Sequence, residues 1–153
     1  MNVSDAVIEI RNKINDRDET GFDDEEILSY LNEAVSSVST YLIGINSPIM
    51  VEEIVINDKE CDIPKNFAKM AGGFPLKRTG EKFKLLTDPP VKLRYLVAYD
   101  RLELDDDMPF RYVALNQVCI KLACVLANAQ QRLDITQDKA LLDEMNAIVA
   151  NIG

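Results

Sequence analysis

Residues 91–99 read VKLRYLVAY. Val91, Leu93, Tyr95 and Val97 alternate with Lys92, Arg94 and Leu96, and this period of two predicts a strand with one buried face. Upstream, KFKLL (82–86) repeats the texture and is set apart by Asp88-Pro89-Pro90. Further back, MVEEIVINDKECDIP (50–64) holds two short β-like runs around Asn57-Asp58-Lys59, a hairpin signal, and Pro64 closes the second run. NFAKM (66–70) reads as one helical turn, and Gly72-Gly73 and Pro75 as turns. Together these predict one small antiparallel sheet over about residues 49–100, with much of the chain's positive charge on its outer face.

On both sides of this insertion the period changes to that of a helix. Val3, Val7, Ile10 and Ile14 predict a helix over 3–15. Ile27, Leu31, Ala34, Val35, Val38, Tyr41 and Leu42 predict a second over 24–43, ending near Gly44. Asp23 or Asp24 starts it, and Glu26 stands three residues after Asp23 as in a capping box. PFRYVALNQVCIKLACVLANAQQ gives a third helix over 109–131, apolar around most of its circumference and therefore expected at the centre. Asp105-Asp106-Asp107 precede it, with Pro109 in its first turn. Leu141, Leu142, Met145, Ile148, Val149 and Ile152 mark a fourth over 135–152, with Asp134 and Gln137 spaced as a second capping box. The expected architecture is α+β and mainly helical, a single domain over 1–153. Its two N-terminal and two C-terminal helices form a four-helix bundle-like core, with a small antiparallel β-sheet inserted between the helix pairs.

A length of 153 residues suits one domain with a sizeable core, and 47% hydrophobic with 28% charged residues is the composition of a soluble globular chain. No apolar run approaches the ~20 residues that cross a bilayer, so no membrane contact is expected. The acidic, amphipathic MNVSDAVIEIRNK is unlike a signal or transit peptide, which leads us to expect a cytosolic chain. Cys61, Cys119 and Cys124, an odd number, are expected as reduced thiols. With no histidine, Cys/His zinc sites and histidine-based acid/base or triad chemistry are excluded.

NDRDETGFDDEEI (15–27) has the look of a calcium loop, with Asp16, Asp18, Thr20, Gly21 and Asp24 at positions of coordinating oxygens and the turn glycine. Counting from Asp16, however, the twelfth position, which must hold a bidentate glutamate, is Ile27, and the eighth, normally apolar, is Asp23. A metal site on Asp16, Asp18 and Asp24 is therefore rejected in favour of a capped acidic turn. Asp105-Asp106-Asp107 lack a second acidic cluster, Gly72-Gly73 lack a nucleotide fingerprint, and Ser36, Ser37 and Ser39 lack a base. No catalytic constellation and no cofactor are expected.

The net charge of −9 is uneven: −10 over residues 1–60, +5 over 61–101 and −4 over 102–153. Such a chain can set oppositely charged faces of neighbouring copies together. The expected contact surface is Lys77, Arg78, Lys82, Lys84, Lys92 and Arg94, opposed by Asp23, Asp24, Glu25 and Glu26 and by Asp105, Asp106 and Asp107.

DDEEILSYLNEAVSSVSTYL (23–42) resembles the second helix of tailed-phage head-to-tail adaptor proteins, especially the podovirus type. In that family a D-D-E-x-L-x-x-Y-x-N-x-A helix is followed by a short hairpin ending in Pro and an aromatic, matched here by Ile63-Pro64-Lys65-Asn66-Phe67. The family's later strand, ending in an aromatic and a run of acids, is matched by LRYLVAYDRLELDDDMPF (93–110). The closing helices are matched by 110–130 and 135–152. The resemblance implies a structural, non-enzymatic virion protein at the head–tail junction, present in the host cytoplasm during assembly. Its copies would form a ring, commonly twelvefold, that binds the portal protein above and tail or nozzle proteins below, with DNA passing through the channel. Because the sequence ends soon after the last helix, any extended portal-binding tail is expected to be short or lacking. The alternative is a small cytosolic regulatory or protein-interaction module without catalysis.

Overall fold

The structure is a computed structural model that describes residues 1–16, 21–129 and 134–152. Its elements run α1 (Val3–Lys13), α2 (Asp24–Gly44), β1 (Val51–Ile56), β2 (Glu60–Asp62), β3 (Phe67–Met70), β4 (Leu76–Thr79), β5 (Lys82–Leu85), β6 (Val91–Val97), α3 (Val113–Ala129) and α4 (Lys139–Ile152). Short 3-10 turns at Pro48–Met50 and Ile135–Gln137 precede β1 and α4. The chain divides into two compact units, one of Met1–Tyr41 with Asp100–Gly153, the other of Leu42–Tyr99.

In the first unit α1 and α2 start where the sequence places them, whereas α3 and α4 start later than Pro109 and Asp134 imply. Asn2 caps α1 by accepting the Asp5 N–H at 2.8 Å, and Asp23 accepts the Glu26 N–H at 2.8 Å to start α2. The box formed by Asp134 and Gln137 starts the 3-10 turn instead of α4, whose own first turn is held by Asp138 accepting the Leu141 N–H. Helix α3 starts at Val113, later than its apolar run suggests. Before it, the buried Asn116 side chain accepts the Phe110 N–H and donates to the Phe110 carbonyl, fixing that stretch as a loop. The proposed continuation of this helix to 130 and 131 lies outside the described residues.

The expected four-helix bundle-like core is not what forms. Helix α3 buries Leu115, Val118, Cys119, Ile120, Leu122, Ala123, Leu126 and Ala127 and takes α1 and α4 as its nearest helical neighbours. A helix apolar on nearly all sides needs partners on several of them, and that demand pairs α3 with helices from both ends of the chain. Helix α2 buries Ile27, Leu28, Leu31, Ala34, Val35 and Val38, and polar links tie it to connecting segments. Asn32 donates to and accepts from the Leu102 backbone, and Ser37 accepts the Ile135 N–H.

The single inserted sheet is likewise corrected to two three-stranded antiparallel sheets that form a body of their own, ordered β1-β6-β3 and β2-β5-β4. The two runs around Asn57-Asp58-Lys59 are strands, but they do not pair: β1 joins β6 and β2 joins β5. NFAKM is no helical turn; Asn66 adopts a left-handed φ of 65° and Phe67–Met70 continues as β3 against β6. Strand β6 shows the expected alternation, with Lys92 and Arg94 exposed between buried Val91, Leu93, Tyr95 and Val97, although Leu96 is buried as well.

Both sheets turn their apolar faces to one core. Ile56, Leu93, Tyr95 and Val97 meet Leu76, Phe83 and Leu85 there, with the Phe67 ring edge-on to Phe83 at 5.2 Å. Phe83, 0% exposed at the middle of β5, links the sheets, so Phe83→Ala is expected to cost about 3–5 kcal/mol. Leu86→Ala, at a side chain 65% exposed, should stay within about 0.5 kcal/mol. Urea unfolding of the two variants measures the difference.

Candidate functional site

The acidic turn between α1 and α2 is built around a buried cation. Arg11 sits in the last turn of α1 with its side chain 6% exposed, where a guanidinium must be fully hydrogen-bonded to be tolerated. Its Nη1 donates to Asp16 Oδ2 at 3.1 Å and to the Phe22 carbonyl at 2.7 Å, and its Nη2 to Asp24 Oδ1 at 2.8 Å. The Asp16 carboxylate, 8% exposed, also accepts the Gly21 and Phe22 N–H groups, each at 2.9 Å. Both Asp16 oxygens are thus engaged by protein donors, and Asp24 is drawn to the same arginine. Ile27 is 0% exposed and is the first core residue of α2, as its place in the apolar period implies. Asp18 and Thr20 lie outside the described residues. Among the described residues no group of three His, Cys, Asp or Glu side chains converges as a metal cage.

The residues expected to form a charged contact surface divide between the units. All six cations belong to Leu42–Tyr99 and all seven acids to the other unit. Lys77 on β4 lies directly opposite Lys84 on β5, and Lys82 opposite Thr79 on one side and Asp62 on the other. Arg78 lies opposite the core residue Phe83 but is exposed, its Nε donating to the Gly80 carbonyl. Lys92 and Arg94 lie opposite Val55 and Glu53 in the other sheet. Because the two sheets share their inner faces, Lys77, Lys82 and Lys84 form one group and Lys92 with Arg94 another, on outer faces turned away from each other.

The acids are also partly engaged. Asp23 caps α2 and Asp24 meets Arg11, while Glu25 and Glu26 are exposed in the same turn. Asp106 accepts the Glu103 N–H through its side chain and the Val3 N–H through its carbonyl. Asp107 bridges to Asn2, so this run lines the start of α1, and Asp105 is exposed beside it.

Two features were missed by sequence reasoning. Arg11 reads as a polar residue on the outer face of α1; its partners lie 5 and 13 residues later, beyond any helical period. A cavity of about 410 Å³ lies among Arg94, Val51, Met70 and Gly72 in the sheet unit. Ala71 lines it too, its N–H donating to the Arg94 carbonyl, a pairing hidden once NFAKM is read as helix. The thiols offer no activated nucleophile among them: burial pushes Cys119 and Cys124 up, and burial together with Asp62 and Asp58 raises Cys61.

No described helix is long and apolar enough to cross a membrane. No protein-family model matches the chain, and no curated protein matches it.

Removing one partner of the buried pair leaves the other charge unmet. Arg11→Met should therefore destabilise the protein by about 3 kcal/mol or more, whereas Asp24→Asn, at a carboxylate 51% exposed, should cost about 1 kcal/mol or less. Denaturant unfolding of both variants checks the ranking. In a calorimetric titration the same engagement of Asp16 predicts no saturable calcium heat in the micromolar range, and a saturable signal abolished by Asp16→Asn would overturn the reading of this turn.

Proposed function

We propose that this chain is a structural virion protein, a head-to-tail adaptor whose copies form a ring between the portal of a capsid and its tail. The observation that carries the reading is the division of charge between the two units. Leu42–Tyr99 holds nine basic and seven acidic residues, a net +2, while the remainder holds eight basic and nineteen acidic, a net −11. Copies of such a chain attract one another through unlike units and repel where two acidic units meet, which favours head-to-tail contact over symmetric pairing. The order of elements supports the same reading. Two helices precede the β unit and two follow it, as the resemblance to podovirus-type adaptors implies, and the adaptor-like α2 carries Tyr30, Asn32 and Ala34 in the expected spacing.

Within that role the ring contacts the portal protein on one side and tail or nozzle proteins on the other, and DNA passes its channel during ejection. The acidic unit lines no nucleic acid by attraction, because phosphate repels a net charge of that sign. The experiment is co-purification with the portal protein encoded beside this chain, followed by electron microscopy. Rings of this chain seated on the portal are expected, weakening as salt rises from about 0.05 to 0.5 M because exposed charges are screened. A chain with no portal encoded nearby, or one that fails to bind it at any salt, would sink the proposal.

A further inference from the structure

The two sheets have four edge strands, and two of them, β1 and β4, carry opposite charge. In the first sheet, the Ala71 N–H donates to Arg94 O and the Ala98 N–H to Asn66 O, so the even-numbered residues of β6 face β3 with their amide groups. The odd-numbered residues Val91, Leu93 and Tyr95 therefore bond Ile56, Ile54 and Glu52 of β1. The amide groups of Glu53 and Val55 then point off the sheet. In the second sheet, the Leu86 N–H donates to Pro75 O and the Leu85 N–H to Lys59 O. By the same alternation β4 bonds β5 through Lys77–Lys84 and Thr79–Lys82, and the amide groups of Arg78 point off that sheet. Among the described residues no other hydrogen bond reaches the backbone groups of Glu53, Val55 or Arg78.

We propose that β1 of one copy pairs with β4 of the next, adding a strand across the interface and supplying the contact that builds the ring. This rests on the adaptor reading and adds, to the attraction between unlike units, a strand-to-strand surface between the sheet units of neighbouring copies. Glu52 and Glu53 line the β1 edge beside exposed Val55, and exposed Lys77 and Arg78 line the β4 edge. Pairing β1 with β1 sets glutamates against glutamates, and β4 with β4 sets cations against cations. Only β1 with β4 brings unlike charges together while satisfying the open backbone groups of both strands. The other two edges fit less well. Glu60 and Asp62 of β2 face Lys84 and Lys82 in their own sheet, but Glu53 also lies opposite a cation of its own sheet, Arg94, and Glu52 accepts the Tyr95 hydroxyl at 3.3 Å. What sets β2 apart is its length of three residues against six for β1, while β3 is broken by a bulge between Phe67 and Lys69. Since the two edges differ, the contact is head-to-tail, the kind that closes into a ring where the rotation between copies allows it.

The test follows self-association of the purified chain by sedimentation and native mass spectrometry. Val55→Pro removes only an outward N–H and should leave the thermal unfolding of the monomer near wild type while weakening self-association by about tenfold or more. Two charge-reversed chains, Glu52→Lys with Glu53→Lys and Lys77→Glu with Arg78→Glu, should each stay monomeric. Mixed one to one, they should assemble again, because each then offers the edge the other needs. Hydrogen exchange at Glu53, Val55 and Arg78 should slow on assembly. Assembly that survives these changes, or a mixture that fails to recover it, overturns the edge pairing even where portal binding stands. A wild-type chain that stays monomeric at about millimolar concentration overturns it too, leaving the adaptor role to the portal experiment.

Discussion

A guanidinium cannot shed its charge in a protein, so a buried arginine dictates what surrounds it. Arg11, 6% exposed, is met by two carboxylates and a backbone carbonyl; Asp16 lies just after α1, while Phe22 and Asp24 lie on the far side of the turn. The turn must come back to the helix it has just left for the arginine to be satisfied. Asp16 binds the returning chain at Gly21 and Phe22, Asp24 opens α2 against the same charge, and Ile27 falls into the core one turn later. Arg11 thus sets where α2 begins, and the buried face of Ile27, Leu31, Ala34 and Val38 carries the helix on to Asn32 and Ser37, which hold Leu102 and Ile135.

That requirement also accounts for the calcium-like pattern. A loop that must neutralise a buried cation and cap a helix selects aspartate, glycine and polar residues at short spacing, the types a cation loop selects for its own ligands. The two differ at Ile27, which was legible in the sequence, and at Arg11, which was not. The helices and β6 were legible because a period of 3.6 or of two is a local property. Sheet partners are not: β1 finds β6 some forty residues later, and the polar turn between β1 and β2 separates strands that enter different sheets. Phe67 similarly declares itself a strand residue only through its contacts with Phe83 and Tyr95. The bundle expectation failed for a related reason, since helical period shows which face of α3 is apolar but not which helices will cover it.

The charges of the sheet unit are arranged in a way that the isolated unit does not favour. Its core takes the apolar side chains, so every charge is forced onto an outer face or an edge. Lys77 and Lys84 stand directly opposite one another on neighbouring strands, a like-charged cross-strand pair that costs stability. Glu60 lies on the far side of Lys84, and no acid of the unit lies across from Lys77. An outside carboxylate relieves this repulsion without any change in the fold, and the glutamates on the open edge of β1 in another copy are of the right kind. Under the proposed edge pairing the same residues that weaken the sheet alone become complementary once copies meet, which would tie the energetic cost of the arrangement to association rather than to folding.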